Sequence, residues 1–173
     1  MTAPHAAGGV IATPFQWQRS ASPFEFTQDH LEYVTEPGPS FRDITEDVQR
    51  VVDASGLRFG QVTIFSMHTT AAIRLQEHEP LLLEDLKDLL RRMAPPDRYY
   101  RHNDFSIRTV NMHPNEPENG HSHCQHMLLS TSETVPLVDG GLHLGEWQSI
   151  FLVELDDSRR RRVAINIIGA RGE

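Results

Sequence analysis

Residues 134–169 read TVPLVDGGLHLGEWQSIFLVELDDSRRRRVAINIIG, and the reading of this stretch sets the fold class. Asp139, Gly140 and Gly141 form a turn signal between two apolar runs, so the chain is expected to double back there as a hairpin. A long strand then runs through Trp147 and Phe151, a charged turn follows, and VAINIIG makes a last strand. Strands joined in this way pair antiparallel, and with a few helices around them they define an α+β domain.

Working outward, QVTIFSM (61–67) is a further β-rich strand that delivers His68, Thr69 and Thr70 at its end. Near the start, FEFTQDHLEYVTE (24–36) reads as a strand and PGPS (37–40) as a turn. FRDITEDVQRVVDASG (41–56) then places Ile44, Val48, Val51 and Val52 at helical spacing, with Thr45 as cap and Gly56 as stop. PLLLEDLKDLLRRM (80–93) carries its leucines on one helical stripe, begins with a proline suited to a first turn and is stopped by Pro95 and Pro96. Between these helices and the C-terminal strands, residues 97–118 are polar and loop-like. Loops of that length in a small domain are usually functional or mobile. The expected architecture is a single domain over 21–173, mostly antiparallel sheet packed with two or three helices, behind a leader at 1–20 rich in Ala, Gly, Pro and Thr.

Bulk properties narrow the functional classes. A chain of 173 residues has the length of one ordinary domain, and 38% hydrophobic with 23% charged residues is a globular composition. No apolar run approaches the ~20 residues needed to cross a bilayer, so no membrane partner is expected. The formal charge of −8 argues against nucleic acid, because phosphate neutralisation needs a basic face. The one dense basic run, Arg159–Arg162, reads as a solvated turn. With no secretory signal pattern and a single cysteine, Cys124, the expected compartment is the cytoplasm.

The chemistry concentrates in NGHSHCQH (119–126). Ser122 to Gln125 fits a capping box, which would put these histidines at the start of a short helix, with His123 and His126 on one face and His121 pointing elsewhere. A catalytic zinc site commonly uses three protein ligands plus water. His68, His123 and Glu77 supply groups of that type, and the same set could instead be metal-free acid–base machinery. Thr69 and Thr70 could present hydroxyls and amides to a phosphate or carboxylate. His102 and His113 lie in the long loop.

Taken in order, HTTAA (68–72), Gln76–Glu77, YRHN (100–103), NGHSH (119–123) and TVPLVDGGLHLGEWQSIFLVELD running into RRRRV resemble the YjbQ family over about residues 40–169. The resemblance implies a homotrimer of α+β subunits with pockets where subunits meet. It also implies a thiamine-phosphate synthase activity, which joins a pyrimidine diphosphate to a thiazole phosphate and releases pyrophosphate. Carried over by position, the catalytic candidates are His68, Glu77 and His123. The same three are the candidate ligands of a divalent ion, zinc or magnesium, and Thr69, Thr70, Arg74 and Gln148 are the candidate substrate contacts. Arg101 and Arg108 are further cations near the motifs. Two departures from the family pattern are Gln76 for the usual Asn and Glu146 for Thr in the Gly-Thr-Trp-Gln signature. The alternatives are a metal-dependent hydrolase of a phosphorylated small molecule and a non-catalytic metal- or ligand-binding trimer.

Overall fold

Ile150, Phe151, Leu152 and Val153 are all fully buried, and that unbroken run explains the layering of the molecule. In the computed structural model, which describes residues 23–172, the chain forms β1 (Glu25–Val34), β2 (Ser40–Asp43), α1 (Thr45–Ser55), β3 (Phe59–Ser66) and β4 (Ala71–Gln76). It continues through α2 (Pro80–Met93), a 3₁₀ turn (Arg101–Asn103), α3 (Gly120–His126), β5 (Ser132–Val138), β6 (Gly141–Leu142), β7 (Ser149–Glu154) and β8 (Arg160–Ala170). Five strands in the order β1-β8-β3-β5-β6 make one sheet and β2-β7-β4 make a second, and every strand pair is antiparallel.

The second sheet is the middle layer. Ile150 and Leu152 of β7 face the five-stranded sheet and join Val62, Ile64, Ile165 and Ile167, with Val48 and Val52 of α1, in the larger core. Phe151 and Val153 point the other way, against Leu83 and Leu90 of α2. A strand covered on both faces has no polar side to show, so its sequence reads as a continuous apolar run. Each such side chain contributes about 1.5–3 kcal/mol by leaving water, so β7 anchors both interfaces at once.

The expected single sheet is therefore two sheets. β2 and β4 were not legible as strands: SFRD is short, and in AAIRLQ the first three residues are buried without alternation. Trp147 is also not in a strand. It lies in the turn before β7 and is 66% exposed. α2 has the expected bounds, with Glu79 accepting bonds from the amides of Leu81 and Leu82. Gly56 ends α1 in the left-handed region at φ 68°, as expected. Asp43, not the Thr45 side chain, satisfies the open amide of Thr45 at 2.9 Å. Asp139 and Gly140, at φ 52° and 82°, make the β5–β6 turn. The leader expected at 1–20 lies outside the described residues. Among the described residues no helix is long and apolar enough to cross a membrane.

Candidate functional site

Three connections and the helix α3 converge on one cavity of about 420 Å³. The first is the link between β3 and β4, which is drawn tight by Ser66 donating to the carbonyl of Ala71 at 2.6 Å. It presents Thr69 and Thr70 to the cavity. The amide of Leu155 donates to the Thr70 carbonyl at 3.1 Å and ties this link to the end of β7.

The second contributor is α3. Its sequence was expected to open with a capping box at Ser122, but the helix starts earlier, at Gly120 with Asn119 as the preceding residue. Ser122 and Gln125 are buried inside the helix. Ser122 donates to the Leu155 carbonyl at 2.6 Å, and Gln125 donates to the carbonyls of Leu90 and Ala94 at the end of α2. These bonds roll the helix so that His123 and Asn119 line the cavity. His121 lies within the helix and, like His126, is not among the lining residues, and Cys124 is exposed.

The 97–118 segment closes the site from the side. Gly120 lets it come close: a Cβ there would stand 2.6 Å from Tyr100 Cβ and 2.9 Å from Asn103 Oδ1. The amide of Gly120 donates to that same Oδ1 at 2.8 Å. The 3₁₀ turn is thereby locked to α3, and the His102 ring sits edge-on to His123 with centroids 4.5 Å apart. Arg108 stitches the segment together by donating to the carbonyls of His102, Val110 and Asn111 and pairing with Glu116 at 2.8 Å.

The last contributor is the turn from β7 into β8, which brings Asp156, Arg159 and Arg161. The basic run was expected to be a solvated turn, and for Arg161 that is wrong: the residue is 4% exposed. Strand alternation explains it, since Arg160 and Arg162 face outward while Arg161 points in beside Val163. Arg161 pairs with the fully buried Glu154 through Nε and Nη2 and donates to Thr70 Oγ1 at 3.0 Å. Arg159 pairs with Asp156 at 3.2 Å.

The electrostatics leave the histidines short of protons. Burial lowers the pKa of His123, and the neighbouring charge of His102 lowers it further. His68 is lowered by burial and then by the charge of Arg161. Burial alone tends to raise Asp156, but the bonds from Asn119 and the Asp157 amide, with the charges of Arg159 and Arg161, bring it below the usual carboxylate range. The cavity thus combines the imidazole of His123, held toward its neutral form, the carboxylates of Asp156 and Glu116, and three guanidinium groups, a set suited to holding an anion and moving a proton.

The expected site residues are only partly brought together. His123, Thr69 and Thr70 line the cavity. His68 stands just before them, and its Nε2 accepts the Arg162 amide at 2.8 Å, which occupies that nitrogen's lone pair and places any single ring proton on Nδ1. Glu77 follows the far end of β4, whose six residues separate it from Thr70 by roughly 20 Å at about 3.3 Å per residue. Gln148 is exposed in the turn at that same far end and accepts the Gly145 amide at 2.9 Å. Arg74 borders a different, apolar cavity with Phe41, Leu86 and Met93, and reaches Glu133 at 3.3 Å. Within one chain His68, Glu77 and His123 therefore do not surround a common point, and no group of three or more His, Cys, Asp or Glu suited to a metal occurs among the described residues. His102, Glu116, Asn119, Asp156, Arg159 and Arg161 are among the lining residues that sequence reasoning did not select as site residues. The alternation of RRRRV was the available signal for Arg161.

Comparison with known proteins agrees with the fold. Residues 29–170 match the family model described as UPF0047 protein YjbQ-like. A UPF0047 protein of Methanothermobacter thermautotrophicus is 39% identical over 127 residues, covering 73% of this chain and 81% of that one. A UPF0047 protein of Synechocystis is 33% identical over 153 residues, covering 87% and 97%. The crystal structure of a YbjQ-like protein of unknown function from Sulfolobus solfataricus superposes with a TM-score of 0.76 at 32% identity, covering 85% of this chain and 99% of that one. A match over this length, with the fold shared, shows that the chain belongs to the YjbQ-like UPF0047 family.

Proposed function

We propose that the cavity binds a phosphorylated small molecule and that His123 moves a proton in a group-transfer reaction on it. The observation that carries this reading is the placement of three guanidinium groups around a neutral imidazole in one cavity. In its most specific form the reaction is thiamine-phosphate synthase-like. The thiazole nitrogen bonds to the methylene carbon of the pyrimidine diphosphate, the carbon–oxygen bond to the diphosphate breaks, and pyrophosphate leaves with the electron pair. Guanidinium N–H groups meet the charge that develops on the leaving group, which is where fixed cations contribute most. His123, protonated from solvent, gives that proton to an oxygen of the departing pyrophosphate and is left neutral. His68, Glu77 and His123 do not fit a zinc or magnesium ion within one chain, because β4 carries Glu77 away from the two histidines.

A hydrolytic alternative uses the same groups, with His123 taking the proton of a water that attacks phosphorus. One assay separates the readings: the protein is given a pyrimidine diphosphate with and without a thiazole phosphate, and separately simple phosphomonoesters. Pyrophosphate release that requires both partners supports transfer. Phosphate release from a monoester alone supports hydrolysis, and binding without turnover of either kind leaves a ligand-binding protein.

The same reading has the chain assemble as a homotrimer. The outer face of the five-stranded sheet supports self-association: Phe26, Phe65 and Ile168 are 62%, 40% and 44% exposed there, in register with Gln61 and Thr63. Phe26 and Ile168 pair across β1 and β8 and Phe65 stands two residues beyond Thr63 on the same face, and large apolar side chains exposed on one sheet face favour self-association. Phe65→Asp places a charge on that face and is expected to shift the solution mass from trimer to monomer in light scattering, with strand content retained. An unchanged mass would remove this face from the assembly.

A further inference from the structure

Three polar atoms on residues that line the cavity have no hydrogen-bond partner: Asn119 Oδ1, Arg159 Nε and His102 Nε2. Buried polar groups are nearly always paired, because leaving one unmade forfeits its hydration without return. That three such atoms border one cavity points to what enters it.

Their chemistry differs, and the difference is informative. Arg159 Nε is a donor and asks for an acceptor, which a phosphate oxygen supplies. Asn119 asks for the opposite. The residue is 7% exposed, and its amide nitrogen is committed to Asp156 Oδ2 at 2.7 Å. Because a carboxylate accepts only, the nitrogen must face it, which fixes the orphaned amide atom as the oxygen. A fully ionised phosphate cannot satisfy an amide oxygen, since both accept. Asn119 Nδ2 and Arg159 Nη2 also share Asp156 Oδ2, at 2.7 and 3.2 Å, so the two residues that carry the orphans meet at one carboxylate oxygen beside the same cavity.

We propose that the ligand carries, beside its phosphate, an amino or similar N–H donor, and that the amide oxygen of Asn119 is the residue atom that reads it. This rests on the phosphorylated ligand of the preceding section. Asn119 is thereby a specificity determinant: a ligand lacking the donor leaves an acceptor buried and unpaired, which sites of this kind penalise far more than a missing methylene.

The test uses the intact protein and four probes, with affinities from calorimetry: inorganic phosphate, ethyl phosphate, O-phosphoethanolamine and phosphocholine. Phosphocholine keeps the positive charge of phosphoethanolamine but has no N–H. Phosphoethanolamine is expected to bind about tenfold more tightly than ethyl phosphate, the usual scale of one buried hydrogen bond to a charged donor, and phosphocholine no better than ethyl phosphate. In Asn119→Leu, with folding checked by thermal melting, phosphoethanolamine is expected to fall to the level of ethyl phosphate. The parent comparison stands even if that variant fails to fold. Equal affinity for phosphoethanolamine, phosphocholine and ethyl phosphate overturns the assignment of Asn119 while leaving the phosphate reading intact. Failure of all four probes, inorganic phosphate included, overturns the phosphate reading and this inference with it.

Discussion

Glu154→Ala is expected to lower the melting temperature by about 6–20 °C. Glu154 is fully buried and every acceptor site on its carboxylate is used. It takes Arg161 through Nε and Nη2, the Thr35 hydroxyl at 2.7 Å, and the amides of Leu155 and Asp156 at 3.0 and 2.9 Å. Truncation leaves the guanidinium of Arg161 buried without a counter-charge, which typically costs about 3–5 kcal/mol. In a domain of this size each kcal/mol moves the midpoint by about 2–4 °C. The contrasting variant is Glu32→Ala, whose pair with Arg162 is half-exposed on both sides and should contribute under about 1 kcal/mol. Replacing Glu154 and Arg161 together by Leu and Met should restore much of the loss, since a paired apolar replacement leaves no charge stranded. Thermal denaturation of the four proteins decides it. A Glu154→Ala midpoint close to that of Glu32→Ala would mean that the ion pair does not hold the β7–β8 end of the molecule.

His123→Gln is expected to reduce the turnover shown by the parent by about 10²- to 10⁴-fold, the usual contribution of a positioned general acid–base group, with melting little changed. Glutamine keeps hydrogen-bonding capacity but cannot carry a proton between pH 5 and 9. The pH dependence adds a second readout. Burial and His102 hold the pKa of His123 below the usual imidazole value of 6.5, so the limb of kcat/KM that it sets should lie below that value. The sign follows the reaction: in hydrolysis His123 is the base, and activity is present above this pKa and lost as His123 gains a proton; in transfer it is the acid, and activity is present below this pKa and lost as pH rises through it. His126→Gln is the control, because His126 is one helical turn away on α3 and does not line the cavity. A His123→Gln rate within a few-fold of the parent would exclude His123 as the proton carrier.

Both predictions depend on residues whose roles were unequally visible in the sequence. The histidines of NGHSHCQH stood out by density alone, and the placement of Thr69 and Thr70 at the end of a strand followed from the apolar run before them. His102 did not stand out, because nothing in a polar 22-residue stretch says which side chain turns inward. That was decided by Gly120, which admits Tyr100 and Asn103 closely enough for the Gly120 amide to bond Asn103 and hold the loop against α3. Glu77 illustrates the converse. Its distance from His68 along the chain is short, but β4 is extended between them, and an extended strand carries its two ends apart as efficiently as a polypeptide can.

The sequence by itself determined the antiparallel α+β class, the bounds of α2, the Asp139–Gly140 turn and a strand through Phe151. These rest on local signals: apolar periodicity, proline and glycine at helix ends, and turn residues that adopt positive φ. Only the tertiary structure decided that there are two sheets, that Arg161 lies inside opposite Glu154, and that Asn119, His102 and Asp156 meet at one cavity. Each of those outcomes depends on contacts between segments distant in the chain, such as Asn119 with Asp156. The burial that makes such a contact worth forming exists only after the layers have packed.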